Sequence, residues 1–304
     1  MRFPGDMRRS ALPDHLGPAF DVATARREGI ASGRLFAHDL FAPFHGVRVG
    51  VDHPLDEVLD RCVAYAPRLR GSQFFSHTTA AALWDLPLPG YALRDLHVAA
   101  DRPAREPRSV GVIGHRLRMD GADLTLRHGL PVPSAAETWA QLGGMLPLDA
   151  LVAAVDVILT RRDADRDELR GALERLRRRG AADLETALDL ARAGAESPRE
   201  TEVRLLLHRA GLPEPELNEN LHVDGQFVAR LDLAYRAYRV AVEYDGRQHA
   251  ALDQFRRDAD RWRAIAGAGW LLVRVLDHHL RVPERDVVGP VRAALISRGW
   301  RPGP

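Results

Sequence analysis

The sequence contains no lysine. All 43 basic residues are arginine, set against 42 acidic residues, and the formal net charge is +1. So even a balance excludes a protein whose whole surface attracts polyanions. Arginine in every basic position reads first as a coding bias toward GC-rich codons. It reads second as a supply of planar donors suited to phosphate and guanine. Cys62 is the single cysteine, which excludes an intramolecular disulfide and a cysteine-based zinc site. No apolar run approaches transmembrane length, and the opening MRFPGDMRRS has no apolar core for export. A cytoplasmic protein of bacterial type with no membrane partner is therefore expected. There is no internal repeat and no low-complexity tract, and 304 residues leave room for two or three domains.

The most informative stretch is LDLAYRAYRVAVEYDGRQH, Leu231 to His249. Its apolar residues alternate with polar or small ones, the period of a strand with two unlike faces. A two-residue loop at Ala237-Tyr238 sets Tyr235 opposite Val240 and Leu233 opposite Val242. The other face then carries Ala234 with Ala241, Asp232 with Glu243 and Arg230 with Asp245. Cross-strand Cβ atoms lie about 4.5–5.5 Å apart, where like charges repel. Two carboxylates held that close share a proton or a cation. Mg²⁺ takes such oxygen ligands together with substrate phosphate, so Asp232 and Glu243 are candidate ligands for phosphodiester hydrolysis. The alternative is a solvated edge on which the charges splay apart and Arg230 pairs with Asp245.

The flanking pattern has a definite order. Ser197-Pro198-Arg199-Glu200 is a capping box with proline at the first helical position. That helix stops at Gly211-Leu212-Pro213. A short strand from Asn218 to Val223 meets Asp224-Gly225, a hairpin signal. After the acidic hairpin come a helix from Gln254 to Ala266, a buried-type strand from Trp270 to Val275 and a closing helix from Val287 to Ile296. The tail from Arg298 onward is expected to fray.

The run SPRE…AGLPEP…N…ARLDLAY…VAVEYDGRQH…FRRDADRWRAIAGAGWLLVRV resembles the domain-of-unknown-function family 559. That family is related to the very-short-patch repair endonucleases of the PD-(D/E)XK superfamily. The resemblance covers about residues 197–280 and implies an α/β nuclease core using Mg²⁺ or Mn²⁺, with DNA as substrate. Carried over by position, Asp232 and Glu243 match the motif acids and Glu200 the acid of the first helix. Asp245 stands where the superfamily usually has lysine, and the very-short-patch enzymes also depart from lysine there. His249 matches a histidine suited to acid–base work. Arg256 and Arg257 border the site through the FxxD..R spacing and are candidate contacts to the DNA backbone.

Toward the front, FDVATARREGIASGRLFAHDLFAPFHGVRV has helix-turn-helix spacing. Asp21 caps a first helix, Gly29 makes the turn, Ser32 caps a second helix through His38, and Phe44 to Val49 forms a hairpin wing. Arg34, His38 and Arg48 are its candidate nucleic-acid contacts. The alternative is a small helical subdomain packed on its neighbours. This stretch, with SHTTAAALWDLPLP, VGVIGHR and GLPVPSAAETWAQL further on, resembles abortive-infection antitoxins of the type IV toxin–antitoxin kind. That resemblance implies a DNA-binding front half; a homodimer and a cognate toxin encoded nearby are the further partners considered. His77, His97 and His115 are separated too widely in sequence for a compact ligand motif and are expected as ordinary core or surface histidines.

The expected fold class is therefore α/β, α+β overall. A winged helix-turn-helix occupies residues 1–53, an α+β middle domain 54–160, a helical linker 161–196 and the nuclease-like domain 197–304. The expected function is a metal-dependent DNA endonuclease with a docking module. The rival expectation is a non-catalytic DNA-binding regulator on a nuclease scaffold, and a weaker one is an RNA- or nucleotide-directed hydrolase of the same fold.

Overall fold

The computed structural model describes residues 11–119, 123–175, 180–246 and 252–303, without the side chains of residues 252–258. The chain is mixed α+β, as expected, and divides into two compact units, Met1–Leu142 and Gly143–Pro304. The division falls ahead of the expected boundary near residue 160, for a reason given below.

The first unit opens with β1 (Ala19–Asp21), α1 (Val22–Arg27), α2 (Ser32–Leu35), β2 (Leu40–Phe41), β3 (Val47–Gly50) and α3 (Val58–Tyr65). Asp21 caps α1 by accepting the Thr24 N–H at 3.0 Å. Gly29 turns the chain at φ 85°, which glycine adopts without steric cost. The three strands form one sheet in the order β1-β3-β2. The expected sequence of short helix, glycine turn, short helix and hairpin is present, but α2 is shorter than expected. It ends at Leu35, because Arg34 reaches forward to Asp39 with two bonds of 2.9 Å and draws the chain round into β2. His38 thus sits in a turn and not on a helix.

There follow β4 (Gln73–Phe75), α4 (His77–Leu83), β5 (Leu96–Asp101), β6 (Val112–Leu117), β7 (Leu124–Arg127), β8 (Leu130–Pro133) and α5 (Ala135–Ala140). β4 pairs antiparallel with β5, and β5 runs parallel to β6. β7 and β8 form a separate hairpin about His128-Gly129, both at positive φ, the backbone of a two-residue turn that matches strand twist.

The second unit begins with α6 (Leu148–Arg161), α7 (Arg166–Arg175), α8 (Ala181–Leu190) and α9 (Pro198–Arg209). Then come β9 (Glu216–Val223), β10 (Gln226–Tyr235), β11 (Val240–Asp245), α10 (Leu252–Gly267), β12 (Leu271–Leu276) and α11 (Gly289–Ser297). From α9 onward this is the order expected from the sequence. Asp224 and Gly225 both take positive φ and close the β9–β10 hairpin. The sheet order is β12-β11-β10-β9. β11 and β12 are parallel, so a crossover must join them, and α10 supplies it. One face of the sheet packs Leu233, Tyr235, Val240 and Val242 with Val203 and Leu207 of α9 and Val291 and Leu295 of α11. The other packs Leu231, Ala234 and Ala241 with Ile265 of α10 and with Trp270. Trp300 also packs on the first cluster, and its N–H bonds Leu295 O at 3.0 Å. The tail is therefore anchored as far as that residue.

A buried ion pair explains why α6 and α8 belong to this unit. Asp156 of α6 is 0% exposed and Arg204 of α9 is 1% exposed. Asp156 accepts from Arg204 Nη2 at 2.9 Å, Thr201 Oγ1 at 2.9 Å and the Arg192 N–H at 2.6 Å. Arg204 Nη1 donates to Leu190 O at 2.9 Å and to Glu214 at 3.2 Å. Removing one partner of such a pair leaves a desolvated charge. Asp156→Ala is expected to lower unfolding stability by about 3–5 kcal/mol in urea titration, and adding Arg204→Met to recover much of the loss.

Candidate functional site

Glu200 stands on the first turn of α9. Ser197 Oγ accepts the Glu200 N–H at 3.2 Å and donates to Glu200 Oε1 at 2.8 Å. The other carboxylate oxygen accepts the Glu196 N–H at 2.9 Å and Asn218 Nδ2 at 3.0 Å. The expected cap is present, with the carboxylate reaching back one residue beyond the N-cap.

The β10–β11 ladder pairs Leu233 with Val242, Ala234 with Ala241 and Tyr235 with Val240. This is the register expected from the alternation. The turn itself is a short 3-10 helix, Arg236–Tyr238, closed by Arg239 at φ 50°. Beyond Leu233 the pairing stops, and the Asp232 side chain takes the place of a ladder carbonyl. Its Oδ2 accepts the Tyr244 N–H at 2.9 Å. Asp232 is thus bonded to the backbone of the residue that follows Glu243. Burial pushes the Asp232 carboxyl up to about 6. Glu200 and Glu196 push the same way, while the Tyr244 N–H and Arg261 oppose them.

Glu243 is 4% exposed. Both of its oxygens are taken by Arg261 of α10, at 2.6 and 3.1 Å. Arg261 Nη2 also donates to Arg230 O at 2.5 Å. One guanidinium therefore occupies both oxygens of Glu243, the acid at which a metal cation was expected. Asp245 is bonded by Arg274 Nη2 at 2.7 Å, and that guanidinium lies 3.5 Å from the Trp262 ring centroid. Arg230 turns instead to Glu196 at 2.5 Å. The cross-strand pair Arg230–Asp245 does not form, because Arg274 on the adjacent parallel strand reaches Asp245 first.

Asp232 and Glu243 thus stand on the two inner strands of the sheet where their pairing ends, Glu200 is near enough to act on the Asp232 carboxyl, and Asp245 lies two residues beyond Glu243 on β11. His249 lies outside the described residues. Arg256 and Arg257 belong to the backbone of α10, and their side chains lie outside the described set. In the first unit Arg34 is bonded to Asp39 and His38 is exposed. Arg48 is buried. Its Nε donates to Leu35 O at 2.6 Å and its Nη1 to Val47 O at 2.8 Å. Those bonds make Arg48 a tie between β3 and α2, with little surface to offer a phosphate.

A second convergence was not legible in the sequence. His77, His97 and His115 come together in the first unit, with one nitrogen from each within 4.8 Å of the others. Spacings of 18 and 20 residues match no local motif, and the only hint was that each histidine opens or lies within an expected element.

The second unit is thus a sheet covered by helices on both faces, with acidic side chains where its two inner strands part, two of them, Glu243 and Asp245, bonded by arginine. No family model matches the chain. It belongs to the family of two proteins of Mycobacterium tuberculosis, uncharacterized protein Rv2248 of strain H37Rv and uncharacterized protein MT2308 of strain CDC 1551. It is 30% identical to each over 264 residues, which is 86% of this chain and 86% of theirs. A crystal structure of the RV2827C protein from Mycobacterium tuberculosis shares 17% identity at a TM-score of 0.38. That match covers 56% of this chain and 71% of the other, too loose a likeness to build on.

Because the folded pKa of Asp232 is raised, its ionisation costs the folded state. The cost is absent below about pH 4 and is complete above about pH 6. Asp232→Asn is therefore expected to stabilise the metal-free protein by about 1–3 kcal/mol at pH 7–8. Urea titrations from pH 4 to 8 in EDTA check it. A gap that does not narrow toward pH 4 counts against the assignment.

Proposed function

We propose that the chain is a metal-dependent DNA endonuclease. What supports this reading is that Asp232 is bonded to the N–H of the residue after Glu243 where β10 and β11 part, and that Glu200 is close enough to push the Asp232 carboxyl the same way as burial does. A carboxyl raised to about 6 by burial, with a second carboxylate adding to the shift, is a group that a divalent cation stabilises. The acids fit Mg²⁺ or Mn²⁺ in donor chemistry, since all are oxygen ligands. Glu243 fits on condition that Arg261 yields it. When bound, the ion polarises a scissile phosphate and acidifies a water.

In this reading Asp232 and Glu243 hold the ion, and Glu200 orients Asp232 through charge. Arg261, displaced from Glu243, donates two N–H groups to a phosphate oxygen pair. It thereby supplies the positive charge that lysine supplies elsewhere in the superfamily. His249 or Asp245 moves the proton, and the bond from Arg274 to Asp245 favours His249. The small front sheet with α1 and α2 docks on DNA, using exposed groups such as His38. DNA is the partner this reading requires, and it rests on neither a homodimer nor a toxin. No helix among the described residues is long and apolar enough to cross a membrane, which accords with action on DNA in the cytoplasm.

One observation favours a second reading. Glu243 is already neutralised from inside by a bidentate guanidinium. A permanently closed clasp would leave a DNA-binding regulator without catalysis.

The two separate on one pair of assays. Wild-type protein is expected to nick supercoiled plasmid with Mg²⁺ or Mn²⁺. Asp232→Ala and Glu243→Ala are expected to lose at least about a hundredfold in rate, the scale of a lost metal ligand. Equal rates in all three would rule out the endonuclease. Promoter binding in EDTA with no cleavage under any metal would establish the regulator.

A further inference from the structure

The histidine cluster belongs to the first unit and is used by neither reading above. His77 is the first residue of α4, His97 lies on β5 and His115 on β6. In the parallel ladder Ala99 is opposite His115, so the side chains of His97 and His115 leave the same face of the sheet. The His77 and His115 rings stack with centroids 3.8 Å apart, and those of His97 and His115 lie 5.1 Å apart. His77 and His97 are 7% and 6% exposed.

Each histidine is held from behind. The His77 N–H donates to Gln141 Oε1 at 2.9 Å, and the His97 N–H donates to Thr79 Oγ1 at 2.7 Å. His115 is fixed in the β5–β6 ladder. His77 Nδ1 is bonded to Ser76 Oγ at 3.0 Å, which leaves Nε2 as its ligand atom. A second hydrogen bond on the far nitrogen is the usual device for orienting a metal-bound imidazole. His97 Nδ1 and His115 Nε2 face each other at 2.9 Å. Two imidazole nitrogens that close share one proton or one metal ion. Burial holds His97 below its ordinary range, against the pull of Asp95. Neutral imidazole is the ligand form.

Nearby polar groups are also left over. Gln141 and Thr78 are buried, and Gln141 Nε2 and Thr78 Oγ1 have no hydrogen-bond partner among the described residues. Gln141 is tied to His77, so an unpaired amide donor stands beside the cluster. His77 itself is a non-glycine residue at φ 50°, a conformation kept where the surroundings demand it.

We propose that His77, His97 and His115 form a binding site for a nitrogen-seeking divalent transition metal, zinc in the first place. Three imidazoles with no thiolate suit Zn²⁺ and leave a fourth position for water. Magnesium is the wrong ion for this set, since it seeks oxygen. Tetrahedral zinc with Zn–N bonds near 2.0–2.1 Å places its nitrogens about 3.3 Å apart. The nitrogens already lie between 2.9 and 4.8 Å apart, so small ring rotations suffice. The Gln141 amide is then a donor to whatever occupies the open position. The ion ties the start of α4 to β5 and β6.

The test uses the full chain, stripped with EDTA and dialysed. Zn²⁺ is titrated against a chromophoric chelator, and Co²⁺ is added separately to read ligand-field absorption. One Zn²⁺ per chain is expected, with a dissociation constant below about a micromolar. Affinity is expected to fall steeply as pH drops below about 6.5, where imidazole protonates. His115→Ala, at the half-exposed position, is expected to weaken binding at least a hundredfold. Ser76→Ala, which touches no metal, is expected to weaken it about tenfold. Circular dichroism and urea midpoints in EDTA verify that these variants fold. The Asp232→Ala/Glu243→Ala protein is expected to keep its zinc. The proposal is overturned by wild-type protein that binds no zinc tighter than about ten micromolar, by folded His115→Ala that binds as wild type, or by loss of zinc in the acid double variant.

Discussion

The second unit depends on one pair of charges taken out of water. Arg204 and Asp156 are both buried, and every strong bond they make is to another element of the same unit. Charges that deep persist only when their donors and acceptors are matched. Here the matching runs through Thr201, the Arg192 N–H, Leu190 O and Glu214. It binds α6, the end of α8 and the approach to β9 onto α9. Glu200 sits one turn before Arg204 on that helix. The network therefore sets where the Glu200 carboxylate stands relative to β10.

The acidic cluster is the other half of the same construction. β10 and β11 separate after Leu233, so Asp232 substitutes its carboxylate for a backbone acceptor. The parallel strand β12 brings Arg274 to Asp245, and the crossover helix α10 brings Arg261 to Glu243. A chain without lysine has thus put arginine against Glu243 and Asp245, while Glu200 and Asp232 are held by uncharged donors. The helix that crosses over to make a parallel strand also delivers the cation that guards the site. In the first unit three imidazoles converge, with Gln141 and Thr79 accepting the backbone N–H groups of His77 and His97 and Ser76 meeting the His77 ring.

Much of this was legible beforehand, for local reasons. The alternation from Leu233 to Val242 set the register of β10 against β11 and the faces of those residues, because a one-residue slip would expose every apolar side chain. It did not foresee that Leu231 packs on the opposite face, with Ala234 and Ala241, where the pairing with β11 has ended. Ser197-Pro198-Arg199-Glu200 marked the start of α9, and Gly211 marked its end. Asp224-Gly225 marked the hairpin. The extent of α2, the tie made by Arg48 and the packing of Trp300 were not legible, since each depends on a partner chosen by the fold. Arg34 meets Asp39 only once the chain has turned, and Trp300 finds its place only against a core built by α9 and α11.

Residue order and periodicity settled which segments of the second unit are strands and helices, and how Leu233 to Tyr235 pair with Val240 to Val242, because those depend on neighbours a few positions away. They did not settle which arginine answers which acid, which helices join which unit, or that three distant histidines meet. Those outcomes belong to contacts between residues tens of positions apart, and electrostatic and ligand geometry at a few ångströms is resolved only once packing has brought the elements together.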